Sequence, residues 1–138
     1  MDSDPVDDIV NEVNSYVARH PWMDFSVWSY RDVELEVSGS LDESYWSDLR
    51  IVFTGVCWAC IRFQGWHSKT SHPVLLRVDG SEAYAVNVRF QIEVGHHLFK
   101  FIAEDFAEPM WIAAQGIRTN FTRLEFGTGR VDTAESPT

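Results

Sequence analysis

The hydrophobic period of this chain changes once, at Pro21, and that change limits what the chain can fold into. Before it, Val6, Ile9, Val10, Val13, Tyr16 and Val17 recur at helical spacing and make one apolar stripe. Asp4-Pro5 supplies an N-cap acid followed by proline at the first helical position. Asp7 and Asp8 fall in the first turn, where they complement the helix dipole, and Arg19 and His20 suit the last. Pro21 cannot continue the run. One amphipathic helix is predicted over residues 5–19.

From Met23 the period is two. Phe25 to Tyr30 reads as one strand. Val33, Leu35 and Val37 alternate with Asp32, Glu34, Glu36 and Ser38, the pattern of a strand with one face in water. Gly39 to Glu43 reads as a turn-rich break. Leu49, Ile51 and Phe53 resume the alternation, Gly55 marks a bulge, and Val56 to Phe63 continues as a more apolar strand. Gly65 to Pro73 is polar and reads as an exposed loop. Asp79-Gly80-Ser81-Glu82, flanked by Val74–Val78 and Ala83–Val94, predicts a hairpin whose second arm sets Tyr84, Val86, Val88, Phe90, Ile92 and Val94 on one face. Gly95-His96 turns the chain, Leu98 to Ala103 returns it, and Met110–Ala114 and Ile117–Phe126 supply the last strands, kinked at Gly116.

The expected fold is therefore α+β: an N-terminal helix packed on a curved, mostly antiparallel sheet or β-sandwich of about seven or eight strands. At 138 residues the chain has the size of one domain, and no repeat or linker divides it. Six Trp and nine Phe favour pleated, half-buried surfaces. Residues 1–126 are expected to form the domain, and 127–138, almost without apolar side chains, a flexible tail.

Charge narrows the partner class. The formal charge is −10, and residues 1–48 hold twelve acids against Arg19 and Arg31, whereas residues 49–138 balance. A field of this sign repels phosphate backbones and anionic membranes, so neither nucleic acid nor membrane is an expected ligand; it attracts a basic protein or a cation. The acidic residues expected to meet that partner are Asp32, Glu34, Glu36, Asp42, Glu43 and Asp48. Trp46 and Trp66, each flanked by polar residues, are the expected exposed anchors, with Trp28, Trp58 and Trp111 assigned to the core. The acidic start, Met1-Asp2-Ser3-Asp4, does not resemble a secretory signal, and no window has the 18 or more uncharged apolar residues of a membrane span. A cytoplasmic location is expected, with Cys57 and Cys60 reduced.

The candidate chemistry is sparse. Cys57-Trp58-Ala59-Cys60 falls within a predicted strand rather than at a helix N-terminus, and strict alternation would send the two thiols to opposite faces, so buried structural cysteines are expected. His67 and His72 share the polar loop, and His96 and His97 a turn, without a metal-ligand spacing. The carboxylate clusters Asp42, Glu43, Asp48 and Glu104, Asp105, Glu108 need a cleft before they could act as acid and base. No phosphate loop, nucleophile elbow or triad context is present. No cofactor or metal is expected.

Two stretches carry a resemblance. Leu49-Arg50-Ile51-Val52-Phe53-Thr54-Gly55-Val56 has a strand followed by F-x-G-V. Phe99 to Ile117 contains Phe101-Ile102-Ala103-Glu104-Asp105 and then Trp111-Ile112-Ala113-Ala114, like an acidic-loop hairpin. Together they resemble small β-rich bacterial immunity proteins of polymorphic-toxin systems and uncharacterised relatives. The resemblance implies a non-catalytic protein that binds and blocks a toxin. The N-terminal helix, the cysteine pair and the histidine loop lie outside it.

The expected function is thus an acidic protein-binding module, immunity-like, directed at a basic toxin or enzyme. The alternative is a small-molecule-binding or enzymatic β-domain with an aromatic-lined pocket of a few hundred Å³.

Overall fold

The structure, a computed structural model, describes residues 4–41, 46–68, 73–104, 107–122 and 124–125. Helix α1 spans Pro5–Arg19, as its spacing predicts, and the Asp4 carboxylate caps it by accepting from the Val6 amide at 2.9 Å. The strands are β1 (Asp24–Arg31), β2 (Glu34–Ser40), β3 (Trp46–Ser47), β4 (Leu49–Cys60), β5 (Trp66–His67), β6 (Leu75–Val78), β7 (His97–Phe101), β8 (Met110–Asn120) and β9 (Leu124–Glu125). A second helix, α2, covers Gly80–Phe90. Seven strands form one antiparallel sheet in the order β5-β1-β2-β4-β8-β7-β6, and β3 pairs separately with β9. The α+β reading holds, with one curled seven-stranded sheet and the separate β3–β9 pair.

Curling brings the ends of the sheet towards each other. Ser68, one residue past β5, bridges to Ala103, two past β7. The Ser68 amide donates to the Met23 carbonyl and the Glu104 amide to the His67 carbonyl, each at 3.0 Å. The concave side encloses Phe25, Phe53, Phe99, Phe101 and Trp66, with neighbouring ring centroids 5.2 to 6.0 Å apart. Burying each such ring contributes about 2–3 kcal/mol. Val10, Val13 and Val17 of α1 close this core against β6 and β8. Asn14 fixes the helix: its Oδ1 accepts from the amides of Val74 and Leu75, and its Nδ2 donates to the Leu75 carbonyl. Arg77 makes a bidentate pair with Asp7, whose carboxyl is held below its usual range by the guanidinium hydrogen bonds.

Several expectations are corrected. The segment after Asp79 is α2, not a hairpin arm. Ala83 and Val86 stand at helical spacing and pack with Ile92 on the convex face of the sheet, around Val78, Leu98 and Ala113. The run is apolar at both periods, and the convex face satisfies the helical one. β2 continues through Gly39 and Ser40, both buried, where a turn was expected. A side chain at Gly39 would lie 2.8 Å from Met23 Sδ and from a Phe25 ring carbon, so close packing explains that glycine. Val33 leaves the strand for a turn. β8 runs unbroken through Gly116. Trp66 and His67 form a strand instead of an exposed loop. Trp28 is exposed, whereas Trp58 and Trp111 are half-buried and pack against the smaller core cluster of Val78, Leu98 and Ala113. Residues 127–138 lie outside the described residues.

Candidate functional site

β1 and β2 are joined by Asp32-Val33, both at φ +54°. A two-residue hairpin of this hand matches the strand twist but favours asparagine and glycine. A β-branched residue there is a conformational outlier. Val33 is held by its carbonyl, which accepts from the Val56 amide of β4 at 2.9 Å, while its side chain stays 54% exposed. Such strain concentrates at functional positions because the surrounding structure must over-determine it.

Two irregularities shape the surface beside this tip. In β1 the register shifts between Val27 and Ser29, at Trp28, and Trp28 and Tyr30 stand 47% and 56% exposed. In β4 the register with β8 slips between Val56 and Trp58, so Cys57 is the additional residue. Gly55, at φ +62°, supplies the backbone conformation just before it. Cys57 and Cys60 are therefore exposed free thiols, not buried structural cysteines, because strict alternation does not survive a bulge. An open groove of about 430 Å³ lies between Tyr30 and Leu35 on one side and residues 56–61 on the other, with Phe63, 73% exposed, also lining it.

The predicted contact residues divide. Asp32 is at the exposed tip, and Glu34 and Glu36 follow on β2 with their side chains half-buried. Arg118 pairs with both oxygens of Glu34 at 3.1 and 3.2 Å, and these hydrogen bonds, together with the nearby charges of Arg118 and Arg31, hold its carboxyl below the usual range. Asp48 does not face solvent: it is 4% exposed and accepts from the Leu41 amide and from Trp46 Nε1 at 2.9 and 3.1 Å. That bond leaves Trp46 half-buried. Trp66 is 2% exposed against Phe25 and Phe101, so it anchors the core and not a partner. Asp42 and Glu43 lie outside the described residues.

The histidines do not form one constellation. His67 Nε2 is 3.0 Å from Asp24 Oδ1 across β5 and β1, whereas His96 Nδ1 contacts the Glu93 carbonyl at 3.0 Å. His97 begins β7, and His72 is outside the described residues. Among the described residues, no three His, Cys, Asp or Glu side chains are grouped to hold a metal ion. No described helix is long and apolar enough to cross a membrane.

The exposed set Trp28, Tyr30, Val33 and Phe63 was missed by sequence reasoning. Its one available signal was the acid-initiated pair Asp32-Val33 between two alternating runs, which reads equally well as strand. No family model matches the chain, and no curated protein or solved structure matches it.

Proposed function

We propose that this chain is a non-catalytic protein-binding module of the cytoplasm, immunity-like, which engages a basic protein through the β1–β2 tip and the groove beside it. The observation that carries this reading is the exposure of Tyr30 and Phe63 along one groove beside the strained turn at Val33, with Trp28 also exposed at the β1 bulge. Aromatic side chains bury large areas at little entropic cost and dominate interface energetics. Asp32, Glu34 and Glu36 stand beside this tip among Arg31 and Arg118, so the preference for a cationic partner rests on the formal charge of −10, which also speeds its approach. The partner contacts accordingly centre on Trp28 and Tyr30 rather than on Trp46 and Trp66.

Capture of partners from the native cells at low salt, repeated at high salt, tests this. A basic protein is expected to be retained at low salt and released at high salt. The Tyr30→Ala variant, in a fold whose thermal transition is unchanged, is expected to retain much less of it. Undiminished capture by that variant would move the interface elsewhere.

The groove volume favours one second reading, an apolar small ligand, because 430 Å³ falls within the range of ligand pockets. That reading predicts a thermal shift with apolar compounds that is insensitive to salt.

A further inference from the structure

The groove beside the β1–β2 tip exists because β4 outruns its neighbour. β8 accompanies β4 from Arg50 to Cys60, whereas β2 covers only Leu49 to Phe53, so the end of β4 becomes one wall of an opening. Tyr30 and Leu35 close the groove on one side, and Val56, Ile61 and the exposed Phe63 on the other, around about 430 Å³. No Asp, Glu, Lys, Arg or His is among its described lining residues. An apolar hollow of this volume falls in the range of small-ligand sites. A peptide strand fits it less well. Beyond the bulge at Cys57, only Trp58, Ala59 and Cys60 continue the pairing with β8, and a short, bulged edge is how folded sheets discourage strand addition.

Charge at the rim selects the head group. Arg31 directly follows Tyr30, and Arg62 stands between Ile61 and Phe63; both are exposed, so each wall carries an arginine. Arg62 donates to Gln64 Oε1, a neutral acceptor, at 3.0 Å. Of the acids at this end of the sheet, Asp32 is at the tip, and Glu34 is held by Arg118 through both oxygens. Physiological salt screens exposed charges beyond about 8 Å, so a small anion at the rim answers chiefly to these arginines and not to the total charge. We infer that the groove binds a free medium-chain monocarboxylate, its hydrocarbon lying against Tyr30, Leu35, Ile61 and Phe63 and its carboxylate paired with Arg31 and Arg62. Guanidinium groups suit that head group because their donors match both carboxylate oxygens. The inference rests on the small-ligand reading of the groove and adds the head group.

Octanoate, 1-octanol and octylamine share one chain and differ in head group; each is titrated at neutral pH into the 15N-labelled full chain. Octanoate is expected to shift amides within Val56–Ile61. It should bind about threefold or more tightly than 1-octanol, the gain of two exposed ion pairs, and about tenfold or more tightly than octylamine. Rising salt should weaken octanoate and leave 1-octanol unchanged. Decanoate should bind about fourfold or more tightly than octanoate, since each buried methylene adds driving force. The double variant Arg31→Gln/Arg62→Gln, with an unchanged thermal transition, should bring octanoate within about twofold of 1-octanol, whose own binding is retained. Equal binding of octanoate and 1-octanol, or a preference that survives the double variant, would overturn the inference and leave the small-ligand reading standing. Failure of all three to bind would remove both. Tighter binding of a capped octapeptide of alternating valine and glutamate than of decanoate would also overturn it, in favour of strand addition.

Discussion

Val33 holds a conformation that its side chain opposes. A left-handed φ costs a residue with a Cβ about 1–2 kcal/mol, and branching at that carbon adds to the crowding. With 54% of the residue exposed, little burial offsets the cost. Val33→Gly is therefore expected to stabilise the fold by about 1 kcal/mol, read by urea denaturation, because relief of strain exceeds the added unfolded-state entropy. An unchanged or lowered midpoint would mean that the turn is not strained as its dihedrals indicate. The same residue scale holds the clearest misreadings of the sequence. Asp48 and Trp66 have polar neighbours along the chain, which is the only cue the sequence offers for exposure. Their burial is decided across the sheet: Asp48 by the Leu41 amide and the Trp46 indole, Trp66 by Phe25 and Phe101.

Among the elements, α1 was legible in full because its cap, stripe and stop all lie within the segment itself. The helix α2 was not, because its valines and aromatics satisfy a strand period as well as a helical one. What decides between them is the convex face made by Val78, Leu98 and Ala113, residues brought together only by folding. The β4 bulge was anticipated at Gly55, but its consequence for the cysteines was not. A one-residue slip at Cys57 changes which side chains share a surface, and sequence spacing does not show it. Two polar links join α1 to β6, the Asp7–Arg77 pair and the Asn14 side chain, and Asn14 is the more easily isolated. Asn14→Ala leaves the amides of Val74 and Leu75 without their acceptor and is expected to cost about 2 kcal/mol. Asn14→Asp keeps the acceptor for the two amides but sets a carboxylate oxygen against the Leu75 carbonyl, so it should recover only part of the loss in the same denaturation series. Equal losses in the two variants would assign the effect to something other than those bonds.

Over the whole molecule, the described acids of the first third of the chain are in good part paired or buried. Asp7 is paired with Arg77, Glu34 with Arg118, and Asp24 contacts His67, while Asp48 is buried. In the proposed reading, the bias toward a cationic partner rests on the total charge, and the position of the interface on the exposed aromatics at the end of the sheet. Sequence composition carried the first of these and not the second, since twists, bulges and pairing set which Trp and Tyr side chains reach solvent. The most direct measurement is therefore the affinity of the captured partner for the Trp28→Ala/Tyr30→Ala double variant relative to the unaltered chain, by calorimetry at fixed salt. Loss of two central aromatic anchors predicts weakening by about thirtyfold or more, on the order of 2 kcal/mol. An affinity within about twofold of the unaltered chain would contradict the placement of the interface at this tip.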